Sequence, residues 1–169
     1  MNYLYHMVPK DMKGSVLYPL NILKKKYPLL YKEKVKKYQN RKYLLKQKIP
    51  ILNCLWNDVL HLTAVHPSKI KRELKNAKIE VSEKSFFKIN PKDLEKSKLI
   101  VYLFKDDIKK DYTNFNIKNL SKYNKINIMT KNYYREQKSK EERPLLFKNI
   151  PHILYKGNIN TKNCKIIKW

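Results

Sequence analysis

The stretch that decides the fold is IPILNCLWNDVLHLTAVHP, residues 49–67. Between Lys48 and Lys69 the chain has no lysine or arginine, although it contains 39 of them in 169 residues. The nine large apolar side chains here predict a core element, because together they would form a large exposed patch. Asn53 and His61 are among the polar residues between them, and buried polar groups need hydrogen-bond partners. Their clustering favours a core element that also lines a site.

The order of predicted elements indicates an α+β protein. Within the apolar stretch we expect a strand over residues 49–53, because Pro50 favours extended backbone, followed by a helix to Val65. A strand over 3–8 precedes it. A clear helix over 68–77 follows, with its lysines on one side. Strands come before, between and after the helices, so the fold class is α+β rather than a doubly wound α/β sheet.

Length and composition favour one domain, residues 1–169, in a reducing cytoplasm. Residues 131–143, KNYYREQKSKEER, predict a mobile charged loop. We expect no secretion signal and no membrane span. Cys54 and Cys164 do not form a disulfide framework. The chain has two glycines, which excludes a phosphate-binding P-loop and a GxGxxG dinucleotide motif.

The formal charge of +25 predicts an anionic partner, and nucleic acid is the usual partner of so basic a chain. Several of the 13 tyrosines lie directly beside lysines, as at residues 26–27, 37–38 and 42–43. Aromatic rings and ammonium groups together are what single-stranded nucleic acid requires. The alternative explanation is compositional bias, since an AT-rich genome enriches lysine, asparagine, isoleucine and tyrosine.

Short motifs near both ends of the chain resemble those of one enzyme fold. Near the start, the predicted strand contains Leu4-Tyr5-His6-Met7. Near the end, Glu141-Glu142 precedes Ile150-Pro151-His152-Ile153 and then Lys156-Gly157-Asn158-Ile159. Together they resemble the ADP-ribosyltransferase fold, in particular the small nucleic-acid-modifying toxins of the DarT type and the tRNA 2′-phosphotransferases.

This resemblance implies a split mixed sheet with flanking helices and a transferase that uses NAD as its substrate. It implies that His6 contacts the nicotinamide-side ribose, that Arg41 holds the NAD phosphates, and that Glu142 or Glu141 is catalytic. The middle motif of such enzymes has no clear match unless residues 53–58 replace it, which makes Asn53 a further cofactor-binding candidate. The implied acceptor is nucleic acid, DNA or RNA.

Two other functions remain open from the residues alone. The first is a non-enzymatic, basic nucleic-acid-binding protein whose polar core residues are structural. The second is a metal-dependent hydrolase or nuclease built on Asp58, His61 and His66, which lie close in sequence. A nucleophilic site on Cys54 is a weaker interpretation, because a small buried thiol is the ordinary role of such a residue.

Overall fold

Two antiparallel sheets form the core of the protein in a computed structural model that describes residues 3–103 and 111–169. The larger sheet has the strand order β5–β9–β7–β8, and the smaller sheet has the order β1–β6–β11. Their strands are β1 (Leu4–Met7), β5 (Leu60–Leu62), β6 (Ser85–Ile89), β7 (Leu99–Leu103), β8 (Asp111–Asn114), β9 (His152–Tyr155) and β11 (Lys165–Lys168).

Four α-helices and two short strand pairs surround these sheets. The helices are α1 (Leu20–Lys26), α2 (Pro28–Val35), α3 (Pro67–Asn76) and α4 (Ile128–Ser139). Strand β2 (Val16–Leu17) pairs with β10 (Ile159–Asn160), and β3 (Lys48–Ile49) pairs with β4 (Cys54–Leu55). A 3-10 segment, Lys36–Lys46, follows α2. Within the described residues, no helix combines the length and the apolar character needed to cross a bilayer.

The two sheets meet at a single bridge between Tyr5 of β1 and Thr63, the residue after β5. The Tyr5 amide donates to the Thr63 carbonyl at 2.8 Å, and the Thr63 amide donates back at 3.0 Å. Beyond this bridge β1 pairs with β6, while β5 pairs with β9. The first predicted strand and the apolar stretch therefore lie side by side where the sheets join.

The register of the larger sheet separates two apolar layers. Directly paired residues share a face of an antiparallel sheet, and successive residues alternate between faces. Val101 and Ile153 are paired and belong to the first cluster, which includes buried residues of the smaller sheet. His61, Ile100 and Leu154 share the opposite face, where the second cluster lies. His61 is thus carried on a sheet face whose packed side chains are mostly apolar.

Most of the apolar stretch is core as predicted, but Ile51 is exposed, the predicted strand over 49–53 ends at Ile49, and the helix predicted after it is wrong. After β4 the chain makes one 3-10 turn, Trp56–Asp58, and then enters β5. The Asp58 carboxylate accepts the Leu55 amide at 2.7 Å and thereby closes that turn. Leu60 and Leu62 then pair with β9, a partner more than 90 residues away in sequence. Long-range pairing has overridden the helical spacing of the leucines.

The charged loop predicted over residues 131–143 is also wrong, because α4 occupies most of it. Thr130, Tyr134 and Gln137 lie on one face of α4 and are buried, and the Tyr134 hydroxyl donates to the Leu146 carbonyl. Tyr134 packs into a third apolar cluster with Phe86 and Trp169. Burial of Tyr134, with Tyr133 packed beside it, therefore anchors a helix whose other faces are charged.

Helix α3, in contrast, begins and ends close to its predicted bounds. Pro67 occupies the first helical position, where its missing amide hydrogen costs nothing. The His66 imidazole accepts the Ser68 amide at 3.2 Å as an N-cap. Ile70 and Leu74 lie one turn apart and are fully buried in the third cluster. The expected class, one mixed α+β domain, is confirmed.

Candidate functional site: the histidine cluster

Two histidines and two large aromatic side chains come together on the second face of the larger sheet. Trp56 lies 4.4 Å from His61 and 5.3 Å from Tyr102, measured between ring centroids. His152 lies 6.0 Å from His61 and 6.3 Å from Tyr102. We call these four residues the histidine cluster. His61 and His152 are half-buried as residues.

The strand register brings these side chains together. His61 pairs with Leu154, and His152 lies two residues before Leu154 on the same strand, so both histidines face the same side. Tyr102 of β7 pairs directly with His152. Trp56 comes from the 3-10 turn before β5 and is almost fully buried. Three segments distant in sequence thus build one cluster.

Main-chain carbonyls fix one nitrogen of each imidazole in this region. His61 Nε2 lies 3.1 Å from the Trp56 carbonyl, and His152 Nδ1 lies 2.7 Å from the Ile150 carbonyl. His6 on β1 makes the same kind of bond, from Nδ1 to the Met7 carbonyl at 2.7 Å. A carbonyl oxygen can only accept, so in each case this nitrogen carries the hydrogen. The rings are therefore held in defined tautomers.

All three histidines are neutral at physiological pH. Desolvation lowers the pKa of His6 to about 4, against the hydrogen bond to the Met7 carbonyl. Desolvation, and then the charge of His152, lower the pKa of His61 to about 3. Desolvation lowers the pKa of His152 to about 4. A neutral imidazole that donates through one nitrogen is able to accept a hydrogen bond through the other.

Lys37 lies within electrostatic reach of this region. Its charge lowers the pKa of both His6 and His61, and the charge of His6 acts on His61. Desolvation, then the charges of Lys34 and Arg41, lower the pKa of Lys37 itself. A cation crowded by other cations beside neutral imidazoles is an environment that favours a phosphate-bearing ligand.

The candidate cofactor-binding residues have different surroundings. His6 is within electrostatic reach of Lys37 and His61. Arg41 is half-buried at a kink in the 3-10 segment, donates to the Lys37 carbonyl at 3.3 Å, and packs on Tyr38 at 5.9 Å. Asn53 is exposed in the turn between β3 and β4, with φ at +43°. It therefore serves that turn, where a left-handed backbone favours asparagine.

The two candidate catalytic glutamates lie at the C-terminal end of α4, not on a strand. The Glu141 amide donates to the Lys138 carbonyl at 3.1 Å, and the Glu142 amide donates to the Gln137 carbonyl at 2.9 Å. Glu141 has a φ of +57°, and both side chains are exposed. The cap of α4 therefore sets the directions of both side chains.

The residues of the metal hypothesis are occupied with other contacts. Asp58 accepts from Asn21 at 2.7 Å and from the Leu55 amide, while His66 caps α3. Within the described part of the chain, no group of three histidine, cysteine, aspartate or glutamate side chains could hold a metal ion. Burial raises the pKa of the Cys54 thiol, which disfavours the thiolate that a nucleophile requires.

A small cavity lies beside the bridge between the sheets. Its volume is about 150 Å³, and Tyr5, Ala64, His66 and Lys69 contribute to its wall. Pockets that enclose small-molecule ligands usually measure about 300–1,000 Å³. This cavity is therefore too small to enclose a dinucleotide.

Sequence reasoning missed the role of His152 and Lys37. His152 follows Pro151 in a short apolar run, and its alternation with Leu154 places it on the sheet face of His61 once the pairing is known. Lys37 lies in a run of lysines that gives no individual signal.

Comparison with known proteins finds no matching family model, no matching curated protein and no matching solved structure.

Proposed function

We propose that the protein binds NAD on the surface beside His6 and Lys37, outside the small cavity where its two sheets join, and transfers ADP-ribose to nucleic acid. One observation carries the proposal. His6 of β1 and His61 of β5, on strands joined through a single bridge, lie within electrostatic reach of each other and of Lys37. The sequence resemblance implies a split sheet, and we assign this junction to it.

The chemistry of NAD suits these side chains. Lys37 and Arg41 supply positive charge for the pyrophosphate, and Arg41 supplies it in the planar form that binds phosphate oxygens in pairs. Neutral His6 accepts a hydrogen bond from a ribose hydroxyl. No glycine-rich loop is required, in agreement with a chain that has two glycines.

The transfer step requires a carboxylate. Breaking the bond between nicotinamide and ribose builds positive charge on the ribose, which a nearby carboxylate stabilises most strongly in the transition state. Glu142 is our first candidate and Glu141 the second. Both are exposed at the end of α4, so this assignment requires that segment to approach bound NAD.

The test uses labelled NAD with a mixture of single-stranded and duplex DNA and RNA. Wild-type protein should transfer label to nucleic acid. His6→Ala should weaken NAD binding in calorimetry, whereas His66→Ala, which removes an exposed helix cap, should not. No NAD binding and no transfer to nucleic acid or protein would reject the proposal.

The catalytic assignment has its own prediction. Glu142→Gln should lower turnover by several orders of magnitude while NAD still binds, because the lost interaction belongs mainly to the transition state. Glu141→Gln should be mild. If both variants transfer label at the wild-type rate, the carboxylate lies elsewhere, and the proposal would lose its catalytic residue.

A second function is favoured by a different observation, the concentration of positive charge in α1, α2 and the 3-10 segment. A protein that binds nucleic acid without chemistry would need this charge and no NAD. Nucleic-acid binding without any NAD binding would select that function.

A further inference from the structure

Residues 20–46 differ from the rest of the protein in what they bury. Within the described range 3–103, neither α1 nor α2 contains a buried residue. The 3-10 segment that follows buries Tyr38 alone. Leu29 is 78% exposed and Tyr43 is 64% exposed. Helices usually gain most of their stability from a packed apolar face, so the exposed surface of this segment calls for another explanation.

This segment also carries a dense positive charge. Residues 20–46 contain nine lysines and one arginine against one acidic residue, Glu33. Lys36 pairs with Glu33 at 2.7 Å, and Lys34 pairs with Asp11 outside the segment. The charges of Lys34 and Arg41 lower the pKa of Lys37, after desolvation. Like charges held this close repel one another, and a polyanion would remove that repulsion.

Tyrosines are interleaved with the cations on the same surface. Lys24 lies 5.9 Å from the ring centre of Tyr31, and Lys26 lies 5.1 Å from that of Tyr18. Lys37 lies 5.4 Å from the ring of Tyr38. The rings of Tyr18 and Tyr27 are 6.3 Å apart. The tertiary structure thus brings together aromatic and cationic side chains that are separated by up to eight residues in sequence.

We propose that residues 18–46 form the docking surface for a single-stranded nucleic acid. Lysines contact the phosphates, and exposed tyrosine rings stack on the bases. The role of this surface in binding the acceptor rests on the proposed function. Binding of nucleic acid by itself requires neither NAD nor catalysis.

The arrangement favours a single strand over a membrane surface. A helix that lies on a membrane gathers its apolar residues on one face. In α2 the apolar residues are not gathered in this way. Unpaired bases expose their faces to aromatic side chains, whereas duplex bases are already stacked on one another. Charge and rings on one surface therefore fit single-stranded DNA or RNA.

The experiment measures fluorescence anisotropy with a labelled single strand of about 12 nucleotides, within the range of ordinary site sizes. Lys25→Gln with Lys32→Gln should lower affinity at least tenfold in low salt. The double variant should also reduce the slope of log affinity against log salt by about 1–2. Lys71→Gln with Lys75→Gln on α3 is the matched control: it removes the same charge and should lower affinity far less.

A second pair of variants tests stacking separately from charge. Tyr31→Leu with Tyr43→Leu should lower affinity at least fivefold and leave the salt slope unchanged. Tyr31→Phe with Tyr43→Phe keeps the rings and should bind like wild type. Circular dichroism should show all variants folded, because these side chains are not buried.

Three results would overturn the proposal. The first is that the α3 control variant weakens binding as much as the lysine variant in residues 18–46. The second is that the leucine variant binds like wild type. The third is that the protein binds vesicles with acidic lipids but does not bind the single strand. These binding experiments contain no NAD and are therefore independent of the transfer experiment. If wild-type protein binds the single strand but transfers no label from NAD, only the proposed reaction is rejected. Loss of strand binding with intact NAD binding would reject only this surface.

Discussion

Two adjacent regions of the protein differ in burial and in charge. The first is the face of the larger sheet that carries the histidine cluster, and the second is the surface of residues 20–46. The sheet face is apolar and well packed, and its few polar groups bond to main-chain carbonyls. In the described residues of α1 and α2 no side chain is buried. The difference separates two roles: the first region provides apolar burial, and the second provides charge that the fold does not need.

Tyr38 and Lys37 connect the two regions. Tyr38 is buried in the second apolar cluster, and Lys37 beside it acts electrostatically on His6 and His61. Anything that binds the basic surface therefore changes the electrostatic field at the histidines. This electrostatic effect is the reason to expect one functional region and not two unrelated ones.

The largest expected effect is on the packed side of this comparison. Trp56→Ala should lower the free energy of unfolding by about 3–5 kcal/mol, because a buried indole is removed from the second cluster. Leu29→Ala in the exposed segment is the control and should change it by less than about 0.5 kcal/mol. Urea denaturation followed by circular dichroism measures both. Equal effects would abolish the distinction between the regions.

The second effect is the dependence of stability on pH. The pKa of His6 is about 4, of His61 about 3 and of His152 about 4, all below the ordinary value near 6.5. The unfolded chain therefore binds more protons as pH falls from 6.5. Stability should be complete above that pH and should fall by on the order of 1 kcal/mol per pH unit per group.

His152→Phe should make that decline less steep, because the variant has one fewer imidazole to protonate on unfolding. His66→Phe removes an exposed imidazole instead and should flatten the decline less. Urea midpoints measured between pH 7 and pH 5 supply the comparison. A wild-type midpoint that stays constant over this range would contradict the assignment of neutral, desolvated histidines.

The smallest effect belongs to the basic surface. Replacing Lys24, Lys25 and Lys26 together by glutamine removes repulsion and should raise stability by less than about 1 kcal/mol in low salt. The gain should disappear at high salt, because surface charges are then screened. A clear loss of stability would show that these lysines support the fold.

Prediction from sequence succeeded where local signals were strong and agreed with burial. Helix α3 has a capping histidine, a proline at its first turn and apolar residues one turn apart, and it was predicted almost to the residue. The apolar stretch was correctly predicted as core. Its helix was wrong because leucines at helical spacing also fit a short strand beside a 3-10 turn. The partner strand that decided between them lies more than 90 residues away.

The candidate site was less predictable. His6 was a candidate from the sequence, and its role stays a prediction. The positions of His152 and Lys37 depend on strand register and on where α2 leads the 3-10 segment, which the sequence does not show. The α4 segment was predicted as a loop from its charges, whereas burial of Tyr134 makes it a helix. Glu141 and Glu142, which belong to that predicted loop, lie at the C-terminal cap of the helix.

Composition and local pattern by themselves determined the α+β class, the apolar core stretch, the bounds of α3 and the positive charge, since these depend on residue types and short spacings. The tertiary structure alone decided which face each histidine occupies, that three of them are desolvated, and that tyrosines and lysines share a surface. These properties depend on which distant strands pair and on which side chains lose water. Such choices are settled by the free energy of the whole fold and not by any single segment.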